Sequence, residues 1–158
     1  MADGTWSGGM FVCGRCPFGW ISHKGDCYKW MNVHMTVSEG KQLCKYYQSS
    51  LASAKSLEEE QFLLTLRDNG RSFWLGLEKD STGRHVWMDD GSLVTWTNWA
   101  TVNDSAFPCA NVDEDGKWNG WGCEWDYFSV FCKFTPSKRA ICIDYRPDCN
   151  DLIRNDPT

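Results

Sequence analysis

The chain lacks long hydrophobic runs and concentrated basic charge. No stretch of about 18 apolar residues occurs anywhere in the sequence, so it predicts no membrane-spanning helix. Its 16 lysines and arginines are outnumbered by 21 aspartates and glutamates, and the basic residues are scattered along the chain. Because phosphate backbones are bound by concentrated basic faces, the sequence argues against nucleic acid as a partner.

Catalytic motifs are also missing from the sequence. It contains no Gly-x-Ser-x-Gly nucleophile turn, no His-Glu-x-x-His metal motif and no phosphate-binding loop. The histidines, His23, His34 and His85, stand far apart, and nothing places a base beside a cysteine nucleophile. We therefore expect a protein that is not an enzyme.

Cysteine, by contrast, is abundant. Nine cysteines in 158 residues indicate disulfides, and hence a secreted protein or an extracellular ectodomain, because reducing compartments keep thiols free. Zinc is the alternative, since Cys13 and Cys16 have the spacing of a ligand pair, but no second pair answers them. The odd count leaves one cysteine over, which is either unpaired or joins two chains in a disulfide-linked dimer.

Two helix starts are visible in the first half of the chain. Thr36-Val-Ser-Glu39 is a capping box and predicts a helix over about 37–47, with Leu43, Cys44 and Tyr47 on one face. Ser56-Leu-Glu-Glu59 repeats the pattern and predicts a second helix over about 57–68. The residues of the second helix expected to face inward are Leu57, Phe62 and Leu64.

The remaining segments predict short strands. Residues 17–30 read as a hairpin around 22–25. The second half alternates strand and turn patterns, and the segments involved are 72–77, 86–92, 94–99, 117–118 and 129–134. Residues 100–108 are predicted to form a loop. Helices followed by several short strands are typical of an α+β domain.

Several spaced motifs occur in one order between residues 13 and 134. They are Cys16-Pro-Phe-Gly-Trp20, Cys27-Tyr28, Trp74-Leu-Gly-Leu77, Trp87, Asp90-Gly-Ser92, Trp99, Cys109, Trp118-Asn119, Cys123 and Cys132. Together they resemble the C-type lectin-like domain. The resemblance implies an α+β fold with two helices, two small antiparallel sheets and a long loop region, stapled by disulfides. It also implies the pairs Cys16–Cys27, Cys44–Cys132 and Cys109–Cys123.

Sugar-binding members of this family use a calcium ion, and the matching residues are incomplete here. Calcium needs about 6–8 oxygen ligands, several of them from carboxylates. The family supplies a Glu-Pro-Asn or Gln-Pro-Asp tripeptide, a glutamate before the cysteine that matches Cys109, and a Trp-Asn-Asp triplet. In this chain Phe107-Pro108 precede that cysteine, Gly120 replaces the aspartate, and only Asn119 carries over, with Asn103 as a loop equivalent. We therefore expect no cofactor, because the calcium motif is degenerate.

Two short motifs lie in and just after this loop. The acidic run at 113–116 is interpreted as a solvated turn rather than a metal loop, since one turn seldom supplies a full coordination shell. Asn103-Asp-Ser105 is a glycosylation sequon. A glycan at Asn103 would stand on the face where sugar docks in the family.

An aromatic cluster follows Asn119, and its members are Trp121, Trp125, Tyr127 and Phe128. On the surface these rings would anchor a protein partner or stack on sugar rings. The alternative is that two or more of them belong to the core of the last hairpin. The candidate ligand-binding residues are Asn103, Asn119, Trp121 and Trp125.

Two functional hypotheses follow. The first is a non-enzymatic extracellular module, of the kind used in immune recognition, that binds a protein or another ligand without calcium. The second is a carbohydrate-binding lectin with a rearranged or calcium-independent sugar site. Such a site would take an acidic glycan through basic residues, namely Lys117, Lys133, Lys138 and Arg139.

The ends of the chain are set apart from the lectin-like segment. We expect a flexible tail at 1–12, the domain at 13–134 and a cysteine-containing extension at 135–158. The extension resembles the opening of a ShK-type toxin module but lacks its later cysteines. A simpler interpretation pairs Cys142 or Cys149 with Cys13 and leaves the remaining cysteine free or between chains.

Overall fold

The computed structural model describes residues 16–136, and none of the helices in that range is long and apolar enough to cross a membrane. The described residues form two compact units, 16–29 with 134–136 and 30–133, which are treated separately. Several predictions fall outside the described residues. They concern the tail at 1–12, the ShK-like segment, Lys138, Arg139, and the pairing of Cys13, Cys142 and Cys149.

The smaller unit contains the predicted hairpin. Strand β1 is Ile21–His23, and it pairs antiparallel with the start of β2, which is Asp26–Met35. Lys24 and Gly25 form the two-residue turn, with φ of 49° and 88°, as the hairpin turn with two left-handed residues requires. The disulfide Cys16–Cys27 joins the segment before β1 to the start of β2 and confirms the first implied pair.

The larger unit holds both helices and two sheets. Helix α1 is Val37–Tyr46 and α2 is Leu57–Leu66, and short 3-10 helices lie at Asp68–Gly70 and Val102–Ala106. The strands are β3 Ser50–Leu51, β4 Phe73–Trp74, β5 Leu77–Lys79, β6 His85–Trp87, β7 Cys109–Val112, β8 Trp118–Trp121 and β9 Phe128–Phe134. The main sheet has the order β2-β9-β4-β7-β8, with β3 beside β9, and β5 and β6 form the second sheet. The α+β architecture is confirmed, although β4 and β9 pair in parallel.

Helix α1 starts as the sequence predicts. Thr36 is the N-cap, and its amide donates to Glu39 Oε1 at 2.9 Å while the Glu39 amide donates back to Thr36 Oγ1 at 3.3 Å. The inward face carries Cys44 and Gly40, and a side chain at Gly40 would approach Val130 within 3.0 Å. Tyr47 was expected on this face, but it is exposed because the helix ends one residue earlier.

Helix α2 presents a different face from the predicted one. Leu57 was expected to point inward but is 52% exposed, and Phe62 and Leu64 are only half-buried. The buried residues are Glu60 and Leu63. Hydrophobic periodicity missed this face because one of its two buried members is a carboxylate with hydrogen-bond partners inside the protein.

The disulfides of the larger unit join distant parts of the chain. Cys44–Cys132 links α1 to β9 across 88 residues, and Cys109–Cys123 closes a segment of 14 residues. Both pairs match those that the family resemblance implies. Gly76 packs in the core, where a side chain would lie 2.3 Å from the Leu51 carbonyl oxygen. The strand predicted at 72–77 is interrupted at Leu75 and Gly76, between β4 and β5.

Tryptophans concentrate around Trp118 at the centre of this unit. The rings that meet it edge-to-face are Trp87, Trp96 and Trp99, with centroids 6.0, 5.5 and 5.4 Å away. The Trp118 indole nitrogen donates to the buried carboxylate of Glu60. Residues 94–99 form no extended strand, contrary to the prediction, because Trp96 and Trp99 direct their rings to this cluster and only Trp99 makes an isolated bridge to Trp118.

Candidate ligand-binding site

The loop at 100–108 is folded tightly onto β8. Its 3-10 helix begins after Thr101, whose amide and hydroxyl both donate to Asp104 Oδ2 at 2.8 Å. The other carboxylate oxygen of Asp104 accepts the Gly120 amide at 2.8 Å. Partial burial opposes ionisation of Asp104, but these hydrogen bonds outweigh it and hold the pKa of the carboxyl below its ordinary value.

Two further side chains tether the far end of this loop. Lys79 Nζ donates to the Ala106 carbonyl at 2.7 Å, and His85 Nε2 lies 2.8 Å from the Phe107 carbonyl oxygen. Burial lowers the pKa of His85 and outweighs the hydrogen bond to Phe107, which raises it, and the charge of Lys79 lowers it further. Because a carbonyl oxygen only accepts, Nε2 is the donor in this contact. The loop is thus fixed to β5, β6 and β8 together.

Gly120 lies directly beneath the folded loop. A Cβ atom at this position would come within 2.1 Å of the Asp104 carbonyl oxygen and 2.6 Å of Phe107 Cδ2. Both distances are far shorter than real Cβ contacts, and one of the atoms belongs to the backbone. The loop therefore fills the space that the side chain of an aspartate in a Trp-Asn-Asp triplet would need.

Asn119 is half-buried and already has a partner. Its Nδ2 donates to Asp113 Oδ2 at 2.8 Å. The other oxygen of Asp113 accepts the amides of Asp115 and Lys117 at 2.9 Å, and this forms the predicted turn between β7 and β8. Within residues 16–136, no group of three His, Cys, Asp or Glu side chains is placed to hold a metal ion.

An exposed aromatic surface lies next to Gly120. Trp125 is 71% exposed, and its ring packs against Gly122, where a Cβ atom would meet the indole at 2.2 Å. The half-buried Phe107 meets the indole edge-to-face with centroids 6.0 Å apart. We call Trp125 with Phe107 the Trp125 face. Tyr127, 57% exposed, follows two residues later in the chain.

The segment that carries Trp125 is anchored at its start. Cys123 is bonded to Cys109, and its carbonyl accepts the Val37 amide at 3.0 Å. The Glu124 carboxylate accepts the Ser38 hydroxyl at 2.8 Å and the Ser38 amide at 3.2 Å. The hydroxyl bond holds the pKa of Glu124 below its ordinary value. The indole is therefore presented on a fixed backbone.

The structure separates the four candidate residues. Trp125 is in the exposed surface, and Asn103 is exposed on the 3-10 helix. Asn119 is bonded to Asp113. Trp121 is half-buried against Phe128 with centroids 6.1 Å apart, and its indole N–H is buried without an acceptor among the described residues.

The sequence did not indicate that Phe107 belongs to the binding surface. It also did not indicate that Gly122 makes room for the Trp125 ring. The available signal was the alternation Gly120-Trp121-Gly122, which leaves two positions without side chains where rings can lie. Glycines beside aromatic residues indicate that rings pack on the backbone only when the loop at 100–108 is known to fold onto β8.

Of the two described residues of the predicted basic surface, Lys117 and Lys133, the second is buried. It is 5% exposed, and its ammonium group lies 2.6 Å from Glu59 Oε2 and 2.7 Å from Ser53 Oγ. Sequence alone did not reveal that its charge is used inside the unit. Lys117 is exposed, but its Nζ donates to Asn98 Oδ1 at 3.1 Å.

A sequence model of one family, described as the lectin C-type domain, matches residues 33–134. The chain belongs to the C-type lectin domain family. This lectin domain includes the candidate site, all of whose residues lie in the matched range.

Relatives of this lectin domain are receptors and lectins. The secretory phospholipase A2 receptor of Bos taurus is 34% identical over 129 residues, which is 77% of this chain and 9% of the receptor. An alpha-N-acetylgalactosamine-specific lectin of Patiria pectinifera is 31% identical over 133 residues, 73% of this chain and 78% of that lectin. The C-type carbohydrate-recognition domain of cow CD23, solved in the presence of GlcNAc2Man3 oligosaccharide, has a TM-score of 0.69 and 28% identity, covering 79% of this chain and 99% of that one. The chain thus spans only a small part of the receptor it matches.

Proposed function

We propose that this lectin domain is a non-enzymatic extracellular recognition module that binds a protein or another ligand through the Trp125 face without calcium. The observation that carries the proposal is the 71% exposed indole of Trp125, held over Gly122 beside Phe107. A rigid, exposed tryptophan offers a large apolar area and loses little conformational entropy on binding. Such residues are frequent binding anchors.

Independence from calcium is supported by two features of the loop. The space above Gly120 is filled by the backbone of Asp104 and the ring of Phe107. Asn119, the one ligand residue that carries over from the family motif, donates a hydrogen bond from its side-chain amide to Asp113. Since calcium takes several carboxylate oxygens, a site without the triplet aspartate and with its asparagine already engaged is a poor one.

Carbohydrate is the second candidate ligand, and the same indole favours it. A flat exposed ring stacks on the apolar C–H face of a sugar. The lectin of Patiria pectinifera is specific for alpha-N-acetylgalactosamine by its name, and the cow CD23 domain was solved with an oligosaccharide.

A binding screen with and without a chelator tests the proposal. The full chain is applied to a glycan array and to a panel of extracellular proteins, once in calcium and once in EGTA. Trp125→Ala is the test variant, and Tyr46→Ala is its control because Tyr46 is an 80% exposed ring on α1. We expect the same ligands in both buffers, with binding lost in Trp125→Ala and kept in Tyr46→Ala. Ligands that disappear in EGTA, or that Trp125→Ala retains, would contradict the proposal.

A further inference from the structure

One asparagine in this lectin domain combines a modification motif with an open position. Asn103-Asp-Ser105 is the single Asn-x-Ser/Thr match in the sequence. The structure places Asn103 on the outer side of the short helix Val102–Ala106, where it is exposed beside Val102, itself 84% exposed. The motif thus falls on a surface turn, where a bulky polar group is tolerated.

The other asparagines near the site are committed to the fold. Asn98 Nδ2 donates to Glu60 Oε2 at 2.8 Å and to the Gly116 carbonyl at 2.9 Å. Asn119 Nδ2 donates to Asp113. Neither has a serine or threonine two residues later. Unlike the amides of Asn98 and Asn119, the amide of Asn103 can be substituted without breaking such a bond.

The loop that carries Asn103 is held by its neighbours. Asp104 binds Thr101 and Gly120, and the Ser105 hydroxyl donates to the Val102 carbonyl at 2.9 Å. No hydrogen bond to the Asn103 side chain occurs among the described residues. A group attached to Asn103 Nδ2 would therefore leave every contact that fixes the loop in place.

We propose that Asn103 carries an N-linked glycan. In the transfer, Nδ2 bonds to the anomeric carbon of a lipid-pyrophosphate-linked oligosaccharide. The bond from that carbon to the pyrophosphate breaks, the pyrophosphate leaves with the electron pair, and Nδ2 gives up one proton. The inference rests on the extracellular location in the proposed function, because a chain encounters the lipid-linked oligosaccharide only when it enters the secretory pathway.

The glycan would border the Trp125 face. Phe107, whose ring contacts Trp125, follows Asn103 by four residues on the same tethered loop. A bulky, hydrated glycan at this point would make a protein partner approach the face from the side away from the loop. It leaves the aromatic ring itself open to a ligand.

The test is the intact mass of the full chain secreted from eukaryotic cells behind a signal sequence. We expect a mass above that of the polypeptide, which falls by the mass of a glycan after treatment with peptide-N-glycosidase. Asn103→Gln and Ser105→Ala should abolish the shift, Ser105→Thr should keep it, and Asn69→Gln, at an exposed asparagine outside any sequon, should not affect it.

Two outcomes separate this inference from the proposed function. A secreted, disulfide-bonded chain with the bare polypeptide mass would overturn the glycan and leave calcium-independent recognition untouched. A glycosylated chain whose ligands are lost in EGTA would support the glycan and overturn the proposed function.

Discussion

Replacing Gly120 by aspartate restores the Trp-Asn-Asp triplet of the family, and we predict that it damages the protein instead of creating a calcium site. The new Cβ atom would lie 2.1 Å from the Asp104 carbonyl oxygen and 2.6 Å from Phe107 Cδ2. A side chain rotates away from a contact at little cost, but a backbone oxygen does not. The loop must therefore move, and Asp104 is the residue that ties it to β8 through the Gly120 amide.

The size of the effect follows from the crowding. Forcing extra atoms into a packed site typically costs about 1–3 kcal/mol. The loss of the hydrogen bond from the Gly120 amide to Asp104 adds about 1.5 kcal/mol, because the acceptor is charged. Together the two costs are about 2.5–4.5 kcal/mol. This corresponds to a drop in melting temperature on the order of 5–18 °C for a chain of this size.

The assay is equilibrium unfolding in urea with the disulfides intact, followed by tryptophan fluorescence. Gly120→Ala separates size from charge and should already destabilise the protein, since the Cβ atom alone makes both contacts. Val102→Asp is the matched control, because it adds the same charge at a side chain that is 84% exposed on the same loop. A Gly120→Asp variant that is as stable as Val102→Asp, or that binds calcium saturably, would contradict this prediction.

Three further predictions concern stability. Lys133→Met should lower the free energy of unfolding by about 3–5 kcal/mol, measured in urea, because it leaves the Glu59 carboxylate without its buried cation; an unchanged midpoint would show that the pair is not buried in solution. Replacing Cys109 and Cys123 together by serine should lower the free energy of unfolding by about 3 kcal/mol, because the disulfide closes a short loop. The drop in melting temperature should be smaller than that of Cys44→Ser with Cys132→Ser, which opens a longer loop, and the reverse order would contradict this. Because the pKa of His85 is lowered in the folded state, the unfolded chain binds more protons near pH 6.5, so stability falls as the pH drops through that value. Thermal melts at pH 7.5 and 5.5 should show a smaller difference for His85→Asn than for the unmodified chain, and equal differences would contradict the assignment.

Much of the fold was predictable from local signals. The capping box at Thr36 and the hairpin turn at Lys24-Gly25 depend on residues that lie near each other in the sequence. The disulfide pairs followed from the family resemblance. Spacing alone leaves fifteen pairings for six cysteines.

Buried polar groups explain most of what could not be predicted. Glu60 lies inside because Trp118 and Asn98, far away in sequence, donate to its carboxylate. Burial still raises the pKa of Glu60 above its ordinary value, although both hydrogen bonds oppose that rise. Lys133 is inside for the matching reason, since Glu59 and Ser53 meet its ammonium group. Hydrophobic periodicity assigns such residues to the surface, because it carries no information about distant partners.

The candidate site was predictable only in outline. The sequence indicated aromatic residues after Asn119, but it could not sort them, since Trp121 and Trp125 belong to the same short segment. Their environments differ because the loop at 100–108 folds onto Gly120 and brings Phe107 against Trp125. Loop conformation is set by tethers from Lys79 and other distant residues, and a local pattern does not contain them.

A calorimetric titration of the full chain with calcium chloride tests the central claim most directly. The proposed function predicts no saturable heat up to millimolar calcium, because Gly120 brings no carboxylate and Asn119 is bonded to Asp113. Asn119→Ala should then give the same flat titration as the unmodified chain. Saturable binding at micromolar calcium that Asn119→Ala abolishes would contradict recognition without calcium.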